Sequence, residues 1–348
     1  MSSPSRSHVV AAFAIIYLVW GTTFLGIHYA IETLPPFFMG SVRYLIAGAA
    51  LYGWAHFRKA SRPSAHQWKT AFIAGAFFML IGQGGVAWGQ QSVPSGVAAV
   101  LVGTIPMWIL LLEWIRPGGR RPGLVVSVGL LLGFVGVVVL VAPWESGTQV
   151  IDPLGAAAIL LAAFAWAVGS LYAKSVEWPA SHAQAAGMQL FAGGVLLLVA
   201  AVIGGELWGL SLVDVSITSA LAVLYLVVFS SIIAFSAYSW LLGVCRPTRV
   251  ATFAYVNPVV AVGLGWLFVG EPLTGRMLFA MAITIGAVAL ASTGTERADS
   301  PAAPAIEAPC CFDTSEDPDV VPVELEPEPQ AAAVSTSVRP AGVHPAGV

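Results

Sequence analysis

An arginine stands where a hydrocarbon core would be. Arg43 lies about seven residues into an apolar run that begins at Pro36, which at helical rise is about 10 Å deep. A cation at that depth is costly unless it pairs, bonds to backbone or faces water. Two readings stand. Arg43 is a structural cation bonded to helix-end carbonyls or to Glu271, or it faces a central cavity and attracts carboxylate or phosphate groups of a substrate. Two acids lie near run ends, Glu113 and Glu271. The first could couple protons; the second could cap the last helix, pair with a cation or act as a gate. Around them recurs a polar and aromatic set: Trp20, Thr22, Thr23, Gln83, Trp88, Thr104, Trp166, Ser170, Gln189, Ser230, Ser231, Tyr238, Tyr255 and Asn257. Hydroxyls, amides and indoles of this kind bind small polar or amphipathic molecules. Trp20 and Trp166 fall mid-run, where interfacial anchoring does not account for them; cavity lining and helix packing both would. Pro106 and Pro258 each remove a backbone hydrogen bond, which makes them hinge candidates or simple packing kinks.

The chemistry that is missing narrows the function. No paired carboxylates, His–Asp cluster or phosphate-binding Gly–Lys loop occurs, which argues against an enzyme and against ATP as a direct energy source. His28, His56, His66 and His182 lie near run ends without metal-like spacing, so neither a metal nor a cofactor is expected. No mid-run acid stands ready to exchange a proton for a lipophilic cation, which favours neutral, zwitterionic or anionic substrates.

The elements that must position these residues are membrane spans. Only 9% of the residues are charged and 57% are hydrophobic, against roughly a quarter charged in soluble domains. Ten apolar runs, 9–30, 36–57, 70–91, 95–115, 122–142, 153–173, 182–203, 217–241, 248–269 and 274–292, are each long enough to cross a bilayer. The expected fold is therefore an all-α integral membrane protein with the lipid bilayer as its solvent. The basic loop with Arg58, Lys59, Arg62 and Lys69 and the loop with Arg116, Arg120 and Arg121 mark the cytoplasmic side, with both termini inside. Trp54, Trp68, Trp114, Trp144, Trp178 and Trp208 sit at span ends as interfacial anchors. Residues 294–348 are rich in Ala, Pro and Glu, net acidic, and expected to be a disordered cytoplasmic tail. Cys245, Cys310 and Cys311 are then cytoplasmic, and no disulfide framework is implied. Gly129, Gly133 and Gly136 share one helical face, open to intramolecular packing or to a homodimer. Nothing suggests a nucleic-acid partner.

The ten spans read as two sets of five. Trp20 aligns with Trp166 and Arg43 with Gln189 at one offset; Trp88 with Trp240, Pro106 with Pro258 and Trp114 with Trp266 at a slightly larger one. The loops change charge between the sets: the counterpart of the first basic loop carries Glu206 and Asp214, and that of the second carries Glu271 and Arg276. Residues 1–147 and 148–293 thus read as repeats of inverted topology, the architecture of alternating-access carriers.

The segments LVWGTTFLGIHYAIETLPPFFMGSVRYLIAGA, VPSGVAAVLVGTIPMWILLLEWI and ATFAYVNPVVAVGLGWLFVGEPLTGRML resemble the EamA-type transporters of the drug/metabolite transporter superfamily. The resemblance spans residues 9–292. It implies two inverted five-helix repeats, cytoplasmic termini, and export of small metabolites, amino acids or toxic compounds across the bacterial cytoplasmic membrane. The first helix lacks the carboxylate of the small multidrug antiporters in the same superfamily. The expected function is a secondary permease for a small-molecule substrate; the alternative is a non-transporting receptor or scaffold acting through the acidic tail.

Overall fold

A computed structural model describes residues 5–116, 123–141 and 151–298. Arg120, Arg121, Trp144, Cys310, Cys311 and the tail beyond Ala298 lie outside the described residues. Those described form helices and no strand. In chain order they are α1 (Arg6–Ala30), α2 (Pro36–Phe57), α3 (Ala65–Gly89), α4 (Ser95–Ile115), α5 (Leu124–Val141), α6 (Pro153–Ser175), α7 (His182–Ile203), α8 (Ile217–Val244), α9 (Pro247–Val269) and α10 (Gly275–Ala298).

Among the described residues, eight of these helices are long and apolar enough to cross a membrane, a set that does not include α2 or the described part of α10. The 22 residues of α2 include Arg43, and α10 is apolar over Gly275–Ala287, with Val288, Ala289, Leu290 and Ala291 next in sequence. Length and composition therefore account for eight of the ten expected spans. Helix α10 also runs on to Ala298, into the segment expected to be tail.

Local chemistry explains the boundaries. Pro36, Pro153 and Pro247 open α2, α6 and α9 in the first turn, where a missing N–H leaves nothing unpaired. Ser64 and Gln67 form a reciprocal capping box on α3, and Ser181 and Ser216 cap α7 and α8. Gly270, at φ 74°, adopts the left-handed conformation that stops α9.

Not all of this backbone is α. The middle of α3, Ala76–Gln83, and the middle of α8, Leu226–Ala234, are π-helical, as is the end of α9 at Gly265–Val269. Helix α4 breaks at Gly103–Thr104, where the Thr104 hydroxyl donates to Leu101 O at 2.7 Å. Pro106 falls in the first turn of the restarted helix, whereas Pro258 lies inside Phe253–Leu264. The two prolines thus occupy different backbone settings.

Packing follows a symmetric plan. Helix α2 packs on α7, and α5 on α10. Helix α1 contacts α8 and α9, while α6 contacts α3 and α4; α2 touches α8 as α7 touches α3. Exchanging the first five helices for the last five reproduces these contacts. Glycines permit the closest ones. A Cβ on Gly187 would lie 2.7 Å from Tyr52 N of α2, and one on Gly194 would lie 2.8 Å from Leu45 N. The face of α5 is covered within the chain: Gly133 meets Met107 of α4, and Gly136 meets Thr284 of α10. Intramolecular packing, not a dimer contact, uses that face. Apolar side chains such as Leu18, Leu131, Val138, Leu161 and Leu221 point outward, as lipid contact requires.

Gly187→Leu should force the α2 and α7 backbones apart. Overpacking of this kind costs about 1–3 kcal/mol, so a thermal melt of the detergent-purified variant should shift clearly downward.

Candidate functional site

A small cavity, of about 30 Å³, lies where helices from both sets of five meet. Helix α1 contributes Trp20, Thr23, Phe24 and Ile27, α3 contributes Gly82, Gln83 and Val86, and α4 contributes Val102 and Ile105. Ala162, Ala163 and Trp166 come from α6, and Phe253 and Asn257 from α9. The π turn of α3 and the break of α4 both adjoin this wall, as such irregularities often adjoin functional sites.

An aromatic cluster forms part of the wall. Trp20 and Trp166, the residues matched between the two sets, meet edge to face with centroids 5.4 Å apart at 89°. Phe253 lies 4.8 Å from Trp20, and Phe78 lies 4.9 Å from Trp166. Behind them Trp166 Nε1 donates to the Tyr238 hydroxyl at 2.9 Å, and that hydroxyl bonds Ser170 Oγ at 2.6 Å. Ser170 and Tyr238 therefore orient the indole from the second layer and do not line the cavity.

Arg43 also stands one layer back. It is 3% exposed, and among the described residues neither Glu271 nor a helix-end carbonyl holds it. Instead Nε donates to Ser231 Oγ at 2.8 Å, and Nη2 donates to Ser230 Oγ at 2.7 Å. The guanidinium also lies 4.7 Å from the centroid of the Tyr44 ring. Both serines sit on the π segment of α8. Ser230 connects onward to the cavity: its Oγ bonds Thr23 Oγ1 at 3.0 Å, and its carbonyl accepts from Trp20 Nε1 at 3.4 Å.

Of the residues singled out in the sequence, Trp20, Thr23, Gln83, Trp166 and Asn257 line the cavity. With its amide oriented to donate, Asn257 Nδ2 reaches Phe253 O at 3.1 Å and Tyr17 O at 3.2 Å. Buried Gln189 donates to Ala185 O of its own helix at 3.1 Å. Trp88 is half-buried away from the wall. Half-buried Tyr255 packs beside Met107, Leu110, Val126 and Leu130. Glu113, near the end of α4, is half-buried and off the cavity. The residues missed are apolar: Phe24, Ile27, Val86, Val102, Ile105, Ala162, Ala163, Phe253, and Gly82. The i, i+3, i+4, i+7 spacing of Trp20, Thr23, Phe24 and Ile27 is a stripe that could have found two of them.

Acids in three loops act as helix caps. Glu271 does not cap α10; its carboxylate accepts from Ser95 N at 2.7 Å and Gly96 N at 3.1 Å, at the start of α4. Glu206 does the same for α2, accepting from Phe37 N at 3.2 Å and Phe38 N at 2.7 Å. Asp152 caps its own helix, α6. A hydrogen bond from Ser92 Oγ at 2.7 Å, then one from Gly155 N at 2.9 Å, hold its carboxyl below the usual carboxylate range. At another helix end, Lys174 Nζ donates to Leu242 O at 3.0 Å and Gly243 O at 3.3 Å, closing the carboxyl end of α8.

The description EamA-like transporter family matches residues 8–142 and again residues 153–293. The chain belongs to that family. It is 36% identical over 287 residues to the uncharacterized inner membrane transporter YedA of Escherichia coli K12, covering 82% of this chain and 90% of YedA. It is 26% identical to a probable amino-acid metabolite efflux pump of the same organism, covering 81% of this chain and 94% of the pump. A crystal structure with 23% identity superposes with a TM-score of 0.61 over 85% of this chain and 100% of its own, a likeness of fold. Family and helices together make this EamA-family chain a multi-pass membrane protein of a transporter family.

Two measurements test the geometry. Ser230→Ala combined with Ser231→Ala strands a buried guanidinium, at about 1.5–3 kcal/mol per lost charge-assisted bond. Its melting temperature should fall further than that of either single variant. For Asp152, a folded-state pKa below the unfolded one means stability present above the unfolded value and lost as pH falls through the folded value. The melting difference between wild type and Asp152→Asn should therefore be largest near neutral pH and vanish in strong acid.

Proposed function

We propose that this protein is a secondary transporter that exports small polar or amphipathic metabolites, amino acids and their relatives, from the bacterial cytoplasm by alternating access. The observation that carries the reading is the meeting of Trp20 and Trp166, matched residues of the two sets of five, at a cavity lined from both sets. Repeat-related positions flanking one shared site are the hallmark of inverted-repeat carriers. If α2 and α10 cross with the eight that qualify, each repeat makes five crossings, an odd number, and the second copy enters the membrane upside down. The symmetric contact plan and the paired π segments of α3 and α8 support residues 1–147 and 148–293 as those repeats. Residues 294–348 are then a cytoplasmic extension. The related amino-acid metabolite efflux pump supports the cargo class.

Proteoliposome counterflow of amino acids, nucleobases and organic acids, with and without a pH gradient, tests the transport reading. At least one compound should accumulate, and Trp20→Ala with Trp166→Ala should reduce its rate about tenfold or more, the scale of disturbed positioning. Topology is tested separately in a cysteine-free background. Cysteines replacing exposed Arg62 and Asp214 should label from opposite sides of the membrane; labelling from one side would remove the inverted repeat.

A further inference from the structure

The central cavity, at about 30 Å³, has room for about one water and none for a metabolite in this conformation. A second cavity, of about 260 Å³, lies at the end of the bundle where α4 begins. That volume approaches the ~300 Å³ at which ligand pockets begin. The same helix serves both: Val97 lines the second cavity and Val102 the central one, about 7.5 Å apart along the axis at helical rise. The second wall carries one charge of each sign. Glu271, in the α9–α10 connection, supplies a carboxylate, and Arg276, in the first turn of α10, supplies a guanidinium. Thr274, whose Oγ1 accepts from Met277 N at 3.2 Å, adds a hydroxyl proton. Val97, Leu140, Ile151 and Met277 make much of the remainder apolar.

Holding the start of α4 takes one acceptor position on each Glu271 oxygen. A carboxylate offers about four, so Glu271 can keep that helix start and also receive a ligand cation. Arg276 stands at a helix N-terminus, whose dipole favours an anion as well. Singly charged molecules fit this wall poorly. A lone carboxylate brings a like charge to Glu271, and a lone amine brings one to Arg276, in a partly desolvated site. A zwitterion answers both. We infer that this cavity binds α-amino acids with a medium-sized aliphatic side chain. The ammonium faces Glu271, the carboxylate faces Arg276 and the start of α10, and the side chain packs on Val97, Leu140, Ile151 and Met277. The inference rests on the transport reading and names its cargo; in the proposed topology the cavity lies at the outer end of the bundle.

Gly275 offers a way to fill the cavity, since it lines the wall and a Cβ there meets no described atom within 4 Å. Isothermal titration calorimetry of the full chain in lipid nanodiscs, with three probes of one skeleton, tests the assignment. Leucine should bind at least about tenfold more tightly than 4-methylpentanoate, which lacks the ammonium, or 3-methylbutylamine, which lacks the carboxylate. Gly275→Trp should weaken leucine binding about tenfold or more while the thermal melt of the unliganded protein stays unchanged. Arg276→Gln should narrow the gap between leucine and 3-methylbutylamine. No saturable binding of leucine, equal binding of the three probes, or undiminished leucine binding in Gly275→Trp would each overturn the site. The wild-type ranking and Arg276→Gln decide even if Gly275→Trp fails to fold. Proteoliposome counterflow keeps the two readings apart: transport of any compound without the leucine ranking defeats this site alone, and the ranking without any transport defeats the carrier alone.

Discussion

A hydrocarbon core offers no water to a backbone amide, and that constraint governs this chain. Regular helix is the cheapest answer and most of the described residues take it. The π turns of α3 and α8 and the break in α4 are departures that must be compensated where they occur. Thr104 takes up Leu101 O at the break. The π turn of α8 presents two serine hydroxyls to Arg43, so the irregular backbone and the buried cation are accommodated by one arrangement. The π turn of α3 ends at Gln83 on the cavity wall.

Close approach of helices sets the distances on which this arrangement relies. Without a hydrophobic drive between helices in lipid, contact comes from small residues that let backbones touch. Gly187 and Gly194 bring α7 onto α2, and α2 in turn lies against the π segment of α8. Arg43 can reach Ser230 and Ser231 because α2 is held there. Gly89 serves α3 against α6 in the same way, where a Cβ would meet Ile159 Cγ1 at 2.6 Å.

Much of the helical frame was legible in the sequence because hydropathy and breaker residues mark it locally. The runs 36–57, 95–115 and 182–203 coincide with α2, α4 and α7. The polar part of the cavity was legible for a related reason: Trp20, Thr23, Gln83, Trp166 and Asn257 are out of place in lipid unless something inside requires them. The partner of Arg43 was not legible, since Ser230 and Ser231 lie far along the chain and nothing local distinguishes them from other hydroxyls. Glu271 was misread for the same reason; its true partner is a distant helix start. Beyond Phe24 and Ile27 on the stripe of α1, the apolar wall left no mark, because a valine facing a cavity and one facing a neighbouring helix look alike in sequence. π geometry leaves no compositional trace either.

The carboxylates of Glu206 and Glu271 have one more implication. Short connections make successive helices antiparallel, so α2 and α4 begin at the same end of the bundle. There, each start donates two backbone N–H hydrogen bonds to a glutamate in a loop from the other half of the chain. These ties are cross-braces, and they run against the simplest picture of two sequence halves swinging as separate blocks. Motion that keeps the braces intact must carry α2 together with the α7–α8 connection, and α4 together with the α9–α10 connection. The moving bodies would then be assembled from both halves, with a seam that does not follow chain order.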